Sequence, residues 1–464
     1  MPFGPAYQIE RQQIEVRYAG ASGPGLAVHA SYRLINTGNR ELSALEMILP
    51  DAKAYGRRNL RVLLDGGELA PSSDPGSGEN KLRIPFGRAL AQKQKLELSI
   101  AYELNSVSSE QTEITVADDA FSLRPGWHPV LLAPKGAFAK GGEPPKKWDL
   151  SVRVPEGFLV HSSGRARSTR KANGEVTHHF ELTSRHFDPF VAAGRYHEQK
   201  VRTRDGTVIF WTRQSLPDAQ VSQAGEQIAA AVKVYETSFG PRDGKARPVW
   251  IIECASEGLP TRARDREGAV GCFSLPEVAQ FARSSFQAGV ADKRFVRLVE
   301  RELARTWFGY LVSLRLDQEP LPMDAAADYA ATFAAAEGAG KAARREYVAA
   351  LLERYDRAVR QGPEKTVLSI RLTDPAWQVE AGCDRSELFF FALEDHYGDA
   401  TVRQALAHLV RSLRGKQAGS EDLRAALEEL TGQRLGDFFR AWLNRPEIPA
   451  DFRARYEAKI EGRE

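Results

Sequence analysis

The hydrophobic repeat changes once along the chain, and this change constrains the fold more than any other feature. Up to about residue 200, apolar side chains occupy every second position in segments such as Leu26–Leu34, Leu96–Leu104 and Trp148–Val154. This period of two, interrupted by turns rich in Gly and Asn, predicts antiparallel strands with one face toward water. Beyond residue 200 a short strand–helix–strand stretch leads into helical periodicity. We therefore predict an α+β multidomain protein.

The length supports a division into domains, because 464 residues exceed what one small domain holds. We expect one domain at residues 1–199 and another at 200–464, with an α/β part at about 200–290 and a helical part at about 291–464. In the α/β part, strands at 207–211 and 248–252 flank a helix at about 220–237. Helices are then predicted at about 292–312, after Pro322, at 340–360, 384–413, 420–430 and 434–443.

Charge and hydropathy exclude several classes of protein. Lys and Arg total 64 against 61 Asp and Glu, so the net charge of +3 predicts no nucleic-acid partner. No apolar run approaches the roughly 18 residues of a membrane span. The first residues show neither a basic nor an apolar leader region. The compartment stays unknown: cytoplasmic is the default expectation, and an exported protein whose signal peptide has been removed would look the same.

The residues that bind metals are sparse. Cys254, Cys272 and Cys383 form no CxxC pair, and the helical half holds only His396 and His408, which lie twelve residues apart. The sequence contains no HExxH, GxSxG, Walker or GxGxxG motif. Residue types and spacing alone therefore predict no conventional zinc site.

One segment, R-E-L-A-R-T-W-F-G at 301–309, resembles the active-site helix H-E-L-A-H-x-W-F-G of the gluzincin zinc aminopeptidases (peptidase family M1, alanyl-aminopeptidase-like). Three more segments are similar to elements of that family: R-P-G-W-H-P-V-L at 124–131, Y-E-T-S-F-G-P-R at 235–242 and E-L-T-G-Q-R-L-G-D-F-F-R-A-W-L at 429–443. The resemblance implies an N-terminal antiparallel β-saddle domain followed by a thermolysin-like, mostly helical catalytic-type domain. It also implies that the large C-terminal helical domain is missing.

The resemblance places different residues at the family's working positions. Arg301 and Arg305 stand where the two zinc-binding histidines would be, and Asp324 stands at the third ligand, a glutamate. The general-base glutamate is retained as Glu302, whereas the transition-state tyrosine position is Val379. The strand whose glutamate holds the substrate amine corresponds to Gly268, Ala269, Val270, Gly271 and Cys272.

These replacements remove the chemistry that the family needs. Catalytic zinc requires three ligands and a bound water, and an arginine, which stays protonated, has no lone pair to give. The resemblance thus implies a degenerate member without intact catalytic residues, without a metal site and without a cofactor, zinc being expected absent. Whether the protein is an enzyme at all is left open at this stage.

Two functions follow, with a plainer interpretation beside them. The first is a non-catalytic pseudopeptidase that acts as a binding or scaffolding module for an unknown peptide, protein or small anionic ligand. The second is an active metallo-aminopeptidase or other hydrolase with non-standard ligands, for example Asp324, Glu302 and a histidine from the β-domain. Without the resemblance, Arg301, Glu302 and Arg305 would form the solvated face of an amphipathic helix.

The loss of a metal bridge between two helices also predicts a specific contact. A carboxylate left in a partly enclosed cleft is costly unless it is paired, and arginine is the side chain best suited to pair with it. We expect Arg301 or Arg305 to pair with Asp324, and Glu302 to accept hydrogen bonds from the other arginine.

Overall fold

The computed structural model describes residues 7–20, 25–50, 52–70, 72–73, 81–105, 114–123, 127–132, 145, 147–183, 189–242, 247–254, 271–275, 278–281, 285–286, 289–314, 320–371 and 374–457. Up to residue 194 the described residues form mainly strands, arranged in three sheets. From residue 197 a mixed sheet and then helices take over. The change of architecture falls where the hydrophobic period changes.

The strand-rich part holds one short helix, α1 (Ala52–Tyr55), and the following strands. They are β1 (Tyr7–Gly20), β2 (Gly25–Asn36), β3 (Leu42–Ile48), β4 (Arg58–Leu64), β5 (Gly67–Leu69), β6 (Ser72–Ser73), β7 (Lys81–Leu90), β8 (Lys95–Leu104), β9 (Ile114–Val116), β10 (Ala120–Leu123), β11 (Val130–Leu131), β12 (Lys147–Pro155), β13 (Leu159–Ser162), β14 (Arg165–Ala172), β15 (Glu175–Thr183) and β16 (Val191–Gly194). An eight-stranded sheet has the order β14-β15-β12-β1-β2-β8-β4-β5. Two four-stranded sheets have the orders β13-β16-β10-β9 and β11-β3-β7-β6.

Alternating side chains build the core of this part. In β2, Leu26, Val28 and Leu34 are buried while the intervening positions are exposed or half-buried. This pattern confirms the strands predicted from period two. The prediction of purely antiparallel pairing is wrong at one place, because β1 and β12 pair in parallel. Since these two strands lie far apart in sequence, no tight turn forces them to be antiparallel.

A five-stranded mixed sheet opens the second part of the chain. Its strands are β17 (His197–Arg202), β18 (Thr207–Thr212), β19 (Val249–Glu253), β20 (Gly271–Leu275) and β21 (Val278–Phe281), in the order β17-β18-β19-β21-β20. Helix α2 (Asp218–Phe239) connects β18 to the parallel strand β19. The predicted strand–helix–strand unit is therefore confirmed.

Helices make up most of the rest. They are α3 (Lys293–Ala304), α4 (Pro320–Val359), α5 (Ala376–Tyr397), α6 (Asp399–Ser412), α7 (Ser420–Thr431), α8 (Gly436–Phe439) and α9 (Ala450–Glu457). A 3₁₀ turn lies at Val367–Ser369, a π-helical turn at Arg440–Asn444, and strands β22 (Ser313–Leu314) and β23 (Gln417–Ala418) pair with each other. The apolar faces of helices α3 to α9 share one large core with α2 and the mixed sheet.

Helix bounds differ from the predictions where glycine or alanine decides them. The helix predicted at 292–312 ends at Ala304 and continues as turns, with Gly309 at φ 151°. The helix predicted at 384–413 is two helices, separated by Gly398 at φ 81°. Conversely, the helices predicted after Pro322 and at 340–360 are one 40-residue helix, α4, because its Ala-rich middle continues the helix. No described helix is long and apolar enough to cross a membrane.

Candidate functional site

Helix α3 carries the segment that resembles the active-site motif. Its first turn is capped by Asp292, whose side chain accepts a hydrogen bond from the Arg294 backbone N–H at 2.7 Å. Val299 and Leu303 on one face, and Trp307 just beyond the helix, are fully buried in the helical core. The opposite charged face, with Arg301, Glu302 and Arg305, is thereby directed toward the start of α4.

Helix α4 presents two aspartates to this face. Pro320 begins the helix, where its missing N–H costs nothing. Asp324 and Asp328 lie four residues apart, so they share one side of the helix one turn from each other. The three alanines between them are buried. Small side chains there let the backbones of α3 and α4 approach closely.

Five side chains join the two helices, and we call them the helix-pair network: Arg301, Glu302, Arg305, Asp324 and Asp328. Arg305 donates from Nη2 to Asp324 Oδ2 at 3.1 Å and from Nη1 to Glu302 Oε1 at 3.0 Å. Arg301 forms an ion pair with Asp328. Arg301, the earlier arginine, pairs with Asp328, the later aspartate, and Arg305 pairs with the earlier Asp324. Helices α3 and α4 therefore run antiparallel at this point.

The network is enclosed rather than solvated. The side chains of Glu302 and Asp328 are 5% and 8% exposed, and those of Arg301 and Arg305 are 22% and 29% exposed. These values favour the closed-cleft interpretation over a helix face in bulk water. Each guanidinium group is paired with at least one carboxylate.

Electrostatics keep Arg305 charged. Burial by itself lowers the pKa of its guanidinium, but the carboxylates of Asp324, Glu302 and Asp328 outweigh burial and hold that pKa above its ordinary value. Two arginines face three carboxylates, so the network carries a net charge of −1.

The predicted contact is confirmed in one half and wrong in the other. Arg305 pairs with Asp324 as expected. Glu302, however, accepts from Arg305 rather than from Arg301. The reason is geometric: Arg301 lies one turn earlier in α3 and reaches Asp328 one turn later in α4. Asp328 was missed by the sequence reasoning, although its four-residue spacing from Asp324 was visible.

A second group of polar contacts extends this face of α3 away from the network. The Arg297 guanidinium lies 4.1 Å from the centroid of the Tyr347 ring in α4, and the Tyr347 hydroxyl donates to Glu387 in α5. Arg297 precedes Arg301 by one turn, so this cation–π contact continues the same helix pairing. Sequence reasoning did not single out these residues, because a lone Arg or Tyr at helical spacing carries no distinguishing signal.

A buried carboxyl lies beside the network on α3. Glu300 is 8% exposed, and its backbone carbonyl accepts a hydrogen bond from the Tyr235 hydroxyl at 3.2 Å. Burial raises the pKa of the Glu300 carboxyl to about 7, and the nearby Arg297 charge opposes this only in part. The group therefore changes its charge near neutral pH.

The remaining predicted positions do not join the network. Val379, on the first turn of α5, packs half-buried against the helical core. Gly268, Ala269 and Val270 lie outside the described residues, and Gly271 and Cys272 begin β20. Over the part of the chain that the structure describes, no group of three or more His, Cys, Asp or Glu side chains is placed to hold a metal ion.

Comparison with known proteins places this fold among the M1 zinc metallopeptidases. An M1 zinc metallopeptidase from Deinococcus radiodurans aligns with a TM-score of 0.62 at 15% identity, over 96% of this chain and 95% of that chain. A mutant of that enzyme bound to a Tyr-Ser-Ala substrate gives 0.62 at 16% identity, over 96% of each chain. A two-domain M1 zinc metallopeptidase mutant bound to L-tryptophan gives 0.61 at 15%, again over 96% of each. The resemblance indicated by the motifs is therefore confirmed at the level of the fold.

Sequence comparison agrees with the structures. A leucyl aminopeptidase from Saccharolobus solfataricus is 21% identical over 416 residues, which cover 85% of this chain and 49% of that protein. The chain thus spans about half the length of this curated relative. No family model matches the chain. The coarse fold prediction, a large sheet part followed by a mostly helical part, holds for this chain and for the solved structures that it resembles.

The comparisons correct the cofactor prediction. The expectation of no cofactor, with zinc absent, is wrong, because the solved structures that share the fold are zinc metallopeptidases. The motif positions themselves do not fit zinc: Arg301 and Arg305 are guanidinium groups, and each is engaged by a carboxylate. A zinc ion bound to this chain would need ligands other than these two side chains.

Proposed function

We propose that this chain is an aminopeptidase-like binding module that holds a peptide ligand without hydrolysing it at the motif helix. Within this proposal, Arg301, Glu302, Arg305, Asp324 and Val379 occupy the working positions of the M1 fold. Residues 1–199 form the β-saddle domain and residues 200–464 the thermolysin-like domain, with its helical part from about residue 291. The peptide as ligand is taken from a solved relative that binds a Tyr-Ser-Ala substrate.

The observation that carries the proposal is the pairing of Arg305. A general base must be free to take a proton from a water molecule. Here the Glu302 carboxylate is engaged by Arg305 at 3.0 Å and 3.3 Å. Both oxygens of this carboxylate therefore accept hydrogen bonds from a guanidinium group, which occupies the place that a water molecule would need. The same arginine also engages Asp324, the position of the third ligand.

Hydrolysis assays test the absence of turnover. The purified protein is incubated with aminoacyl-anilide substrates, with and without added zinc, beside the variants Glu302→Gln and Glu353→Gln. Glu353 is an exposed glutamate on α4 and controls for the loss of one carboxylate. We expect background rates from all three proteins. Turnover that Glu302→Gln abolishes and Glu353→Gln leaves intact would overturn the proposal in favour of a metallo-aminopeptidase with non-standard ligands.

Calorimetry with the tripeptide Tyr-Ser-Ala tests the binding itself. We expect heat of binding and recovery of the intact tripeptide afterwards. Absence of binding to the tripeptide would contradict the proposed ligand class, and its cleavage would contradict the loss of turnover.

The motif equivalence has a test of its own. The triple variant Arg301→His, Arg305→His and Asp324→Glu restores the residue types of the family at three positions. If these positions correspond to the zinc ligands, the variant should bind about one zinc per chain more than the parent protein. Equal zinc content in the two folded proteins would show that the equivalence is wrong.

A further inference from the structure

Strand β14 is a basic edge of the eight-stranded sheet, on which most of the other arginines are paired. Its sequence is R-A-R-S-T-R-K-A, and all eight residues are exposed. Four of them, Arg165, Arg167, Arg170 and Lys171, are cations, and the strand contains no acidic residue. The whole chain carries a net charge of only +3. This strand is therefore a local concentration of positive charge.

Elsewhere on the eight-stranded sheet, five arginines have glutamate partners, whereas Arg11 on β1 has none among the described residues. Arg17 pairs with Glu175, Arg33 with Glu97, Arg58 with Glu103, Arg61 with Glu68, and Arg153 with Glu15. On β14 only Arg167, which pairs with Glu181, has such a partner among the described residues. Arg165, Arg170 and Lys171 form no ion pair with a described carboxylate, although Arg165 lies opposite Glu181 in the ladder. A sheet that pairs most of its other arginines leaves this edge positive.

The backbone of β14 is available on one side. The strand pairs with β15 through the turn at Asn173 and Gly174, whose φ values of 54° and 75° fit a tight two-residue hairpin. It is the last strand of its sheet, and no other described strand pairs with its outer edge. An open edge offers N–H and C=O groups to an added strand, and side chains of the added strand would then alternate between the two faces.

We propose that β14 binds an acidic peptide segment in extended conformation, which adds to the sheet as a further strand. Its carboxylates would meet Arg165 and Arg170 on one face of the sheet or Lys171 on the other, while its backbone would continue the hydrogen-bond ladder. Charge on an edge strand also guards against self-association. Three cations without an ion-pair partner among the described residues also give the edge a preference for acidic partners.

A pair of labelled peptides tests both parts of the proposal, the attraction of acidic side chains and the addition of a strand. The first probe alternates Glu and Thr, and the second replaces each Thr by Pro, which keeps the charge and removes backbone N–H donors. We expect the Glu-Thr peptide to bind with an affinity that falls as salt rises, and the Glu-Pro peptide to bind at least about tenfold more weakly. Equal binding of both peptides would overturn strand addition, and no binding of either would overturn the site.

Variants locate the site. Arg165→Gln with Arg170→Gln should weaken the Glu-Thr peptide by about tenfold, since both arginines lie on one face of the sheet and two exposed charge pairs with the alternating carboxylates are lost. The matched control is Arg33→Gln with Arg61→Gln, which removes two exposed arginines of the same sheet that already have glutamate partners. Circular dichroism confirms that both variants fold. Equal weakening by both pairs, or tighter binding of a single-stranded oligothymidine than of the peptide, would contradict the proposal.

Discussion

At the scale of single residues, the two aspartates of α4 stand in unlike surroundings although both pair with an arginine. Asp328 is 8% exposed and Asp324 is 29% exposed. Removing one partner of a buried pair strands a charge at a cost of about 3–5 kcal/mol, whereas an exposed pair contributes less than about 1 kcal/mol. We expect Asp328→Ala to lower the free energy of unfolding by about 3 kcal/mol and Asp324→Ala by about 1–2 kcal/mol.

Urea unfolding of the two variants measures this difference. The matched control is Asp356→Ala on the same helix, which breaks a pair with Arg453 of α9 that is about as exposed as the pair of Arg305 and Asp324. Since Asp356 is 33% exposed, its loss should cost no more than that of Asp324. If Asp324→Ala proves the most costly of the three, burial does not govern the strength of the network.

Glu300 gives a residue-scale prediction with a defined pH window. Burial raises its pKa from 4.5 to about 7, so the folded protein binds this proton more tightly than the unfolded chain. Below pH 4.5 both states are protonated and the group costs nothing. As pH rises toward 7, the folded state is destabilised by up to about 3 kcal/mol. Glu300→Gln should therefore stabilise the protein at pH 8 and have little effect at pH 4.

Thermal unfolding over this pH range checks the prediction. The control is Glu353→Gln, which changes an exposed glutamate and should leave the pH dependence unchanged. A Glu300→Gln variant whose stability follows that of the parent at every pH would show that Glu300 is ionised in the folded protein at little cost.

Single residues show how much of the site could be predicted from the sequence. The motif supplied Arg305 and Asp324 because their positions resemble a known helix pair. It did not supply Asp328, because this residue is not among the working positions that the resemblance indicates and its pairing with Arg301 depends on the antiparallel packing of two helices. Glu300 could not be predicted either: its pKa depends on burial by chain segments far away in sequence.

At the scale of elements, periodicity predicted the kinds of element well and their ends poorly. Alternation predicted β2, β8 and β12, since each buries one face. The break between α5 and α6 depends on Gly398 at φ 81°, a conformation that only the folded backbone reveals. The sequence pattern predicts two helices where the structure has the single 40-residue helix α4, because charged residues in its second half change the apparent hydrophobic pattern.

The packing of α2 on the mixed sheet leads to an element-scale prediction. A Cβ placed on Gly225 in α2 would lie 2.7–2.8 Å from side-chain atoms of Val201 in β17. Alanine in a helix is intrinsically favoured over glycine by about 1 kcal/mol. Overpacking costs about 1–3 kcal/mol, and the β-branched Val201 cannot easily move aside. We expect the cost of the clash to exceed the gain in helix propensity, so that Gly225→Ala lowers the free energy of unfolding by about 1–2 kcal/mol.

A double variant separates the clash from other effects. Val201→Gly removes the three contacting atoms, so Gly225→Ala should be neutral or stabilising in the Val201→Gly background. Chemical unfolding of the four proteins gives the coupling energy. Additive costs would mean that the close approach of helix and strand does not limit the side chain at residue 225.

At the scale of the whole molecule, the strand-rich part and the mixed sheet meet through aromatic side chains. The His161 ring on β13 stacks on Trp250 of β19 with centroids 4.2 Å apart, and Trp211 of β18 meets it edge-on at 5.9 Å. The centroid of the Phe190 ring lies 5.6 Å from that of the His161 ring. Sequence reasoning placed these residues in the correct parts of the chain. It could not predict that these residues contact one another, because no local sequence pattern indicates how two sheets pack together.

This junction should weaken in acid. Burial lowers the pKa of His161 from 6.5 to about 3, so the ring stays neutral in the folded protein while the unfolded chain takes up a proton below pH 6.5. The contribution of His161 to stability is complete above pH 6.5 and is lost as pH falls, by about 2 kcal/mol at pH 5. His161→Phe keeps an aromatic ring without a titrating group, so the variant should lose less stability than the parent between pH 7 and pH 5. Other groups titrate equally in both proteins and cancel in the difference, and His29→Phe, at an exposed histidine on β2, serves as the matched control. The opposite result, a parent that gains stability over the variant in acid, would mean that the tryptophan rings hold the imidazolium by cation–π attraction and that the junction tightens when it is protonated.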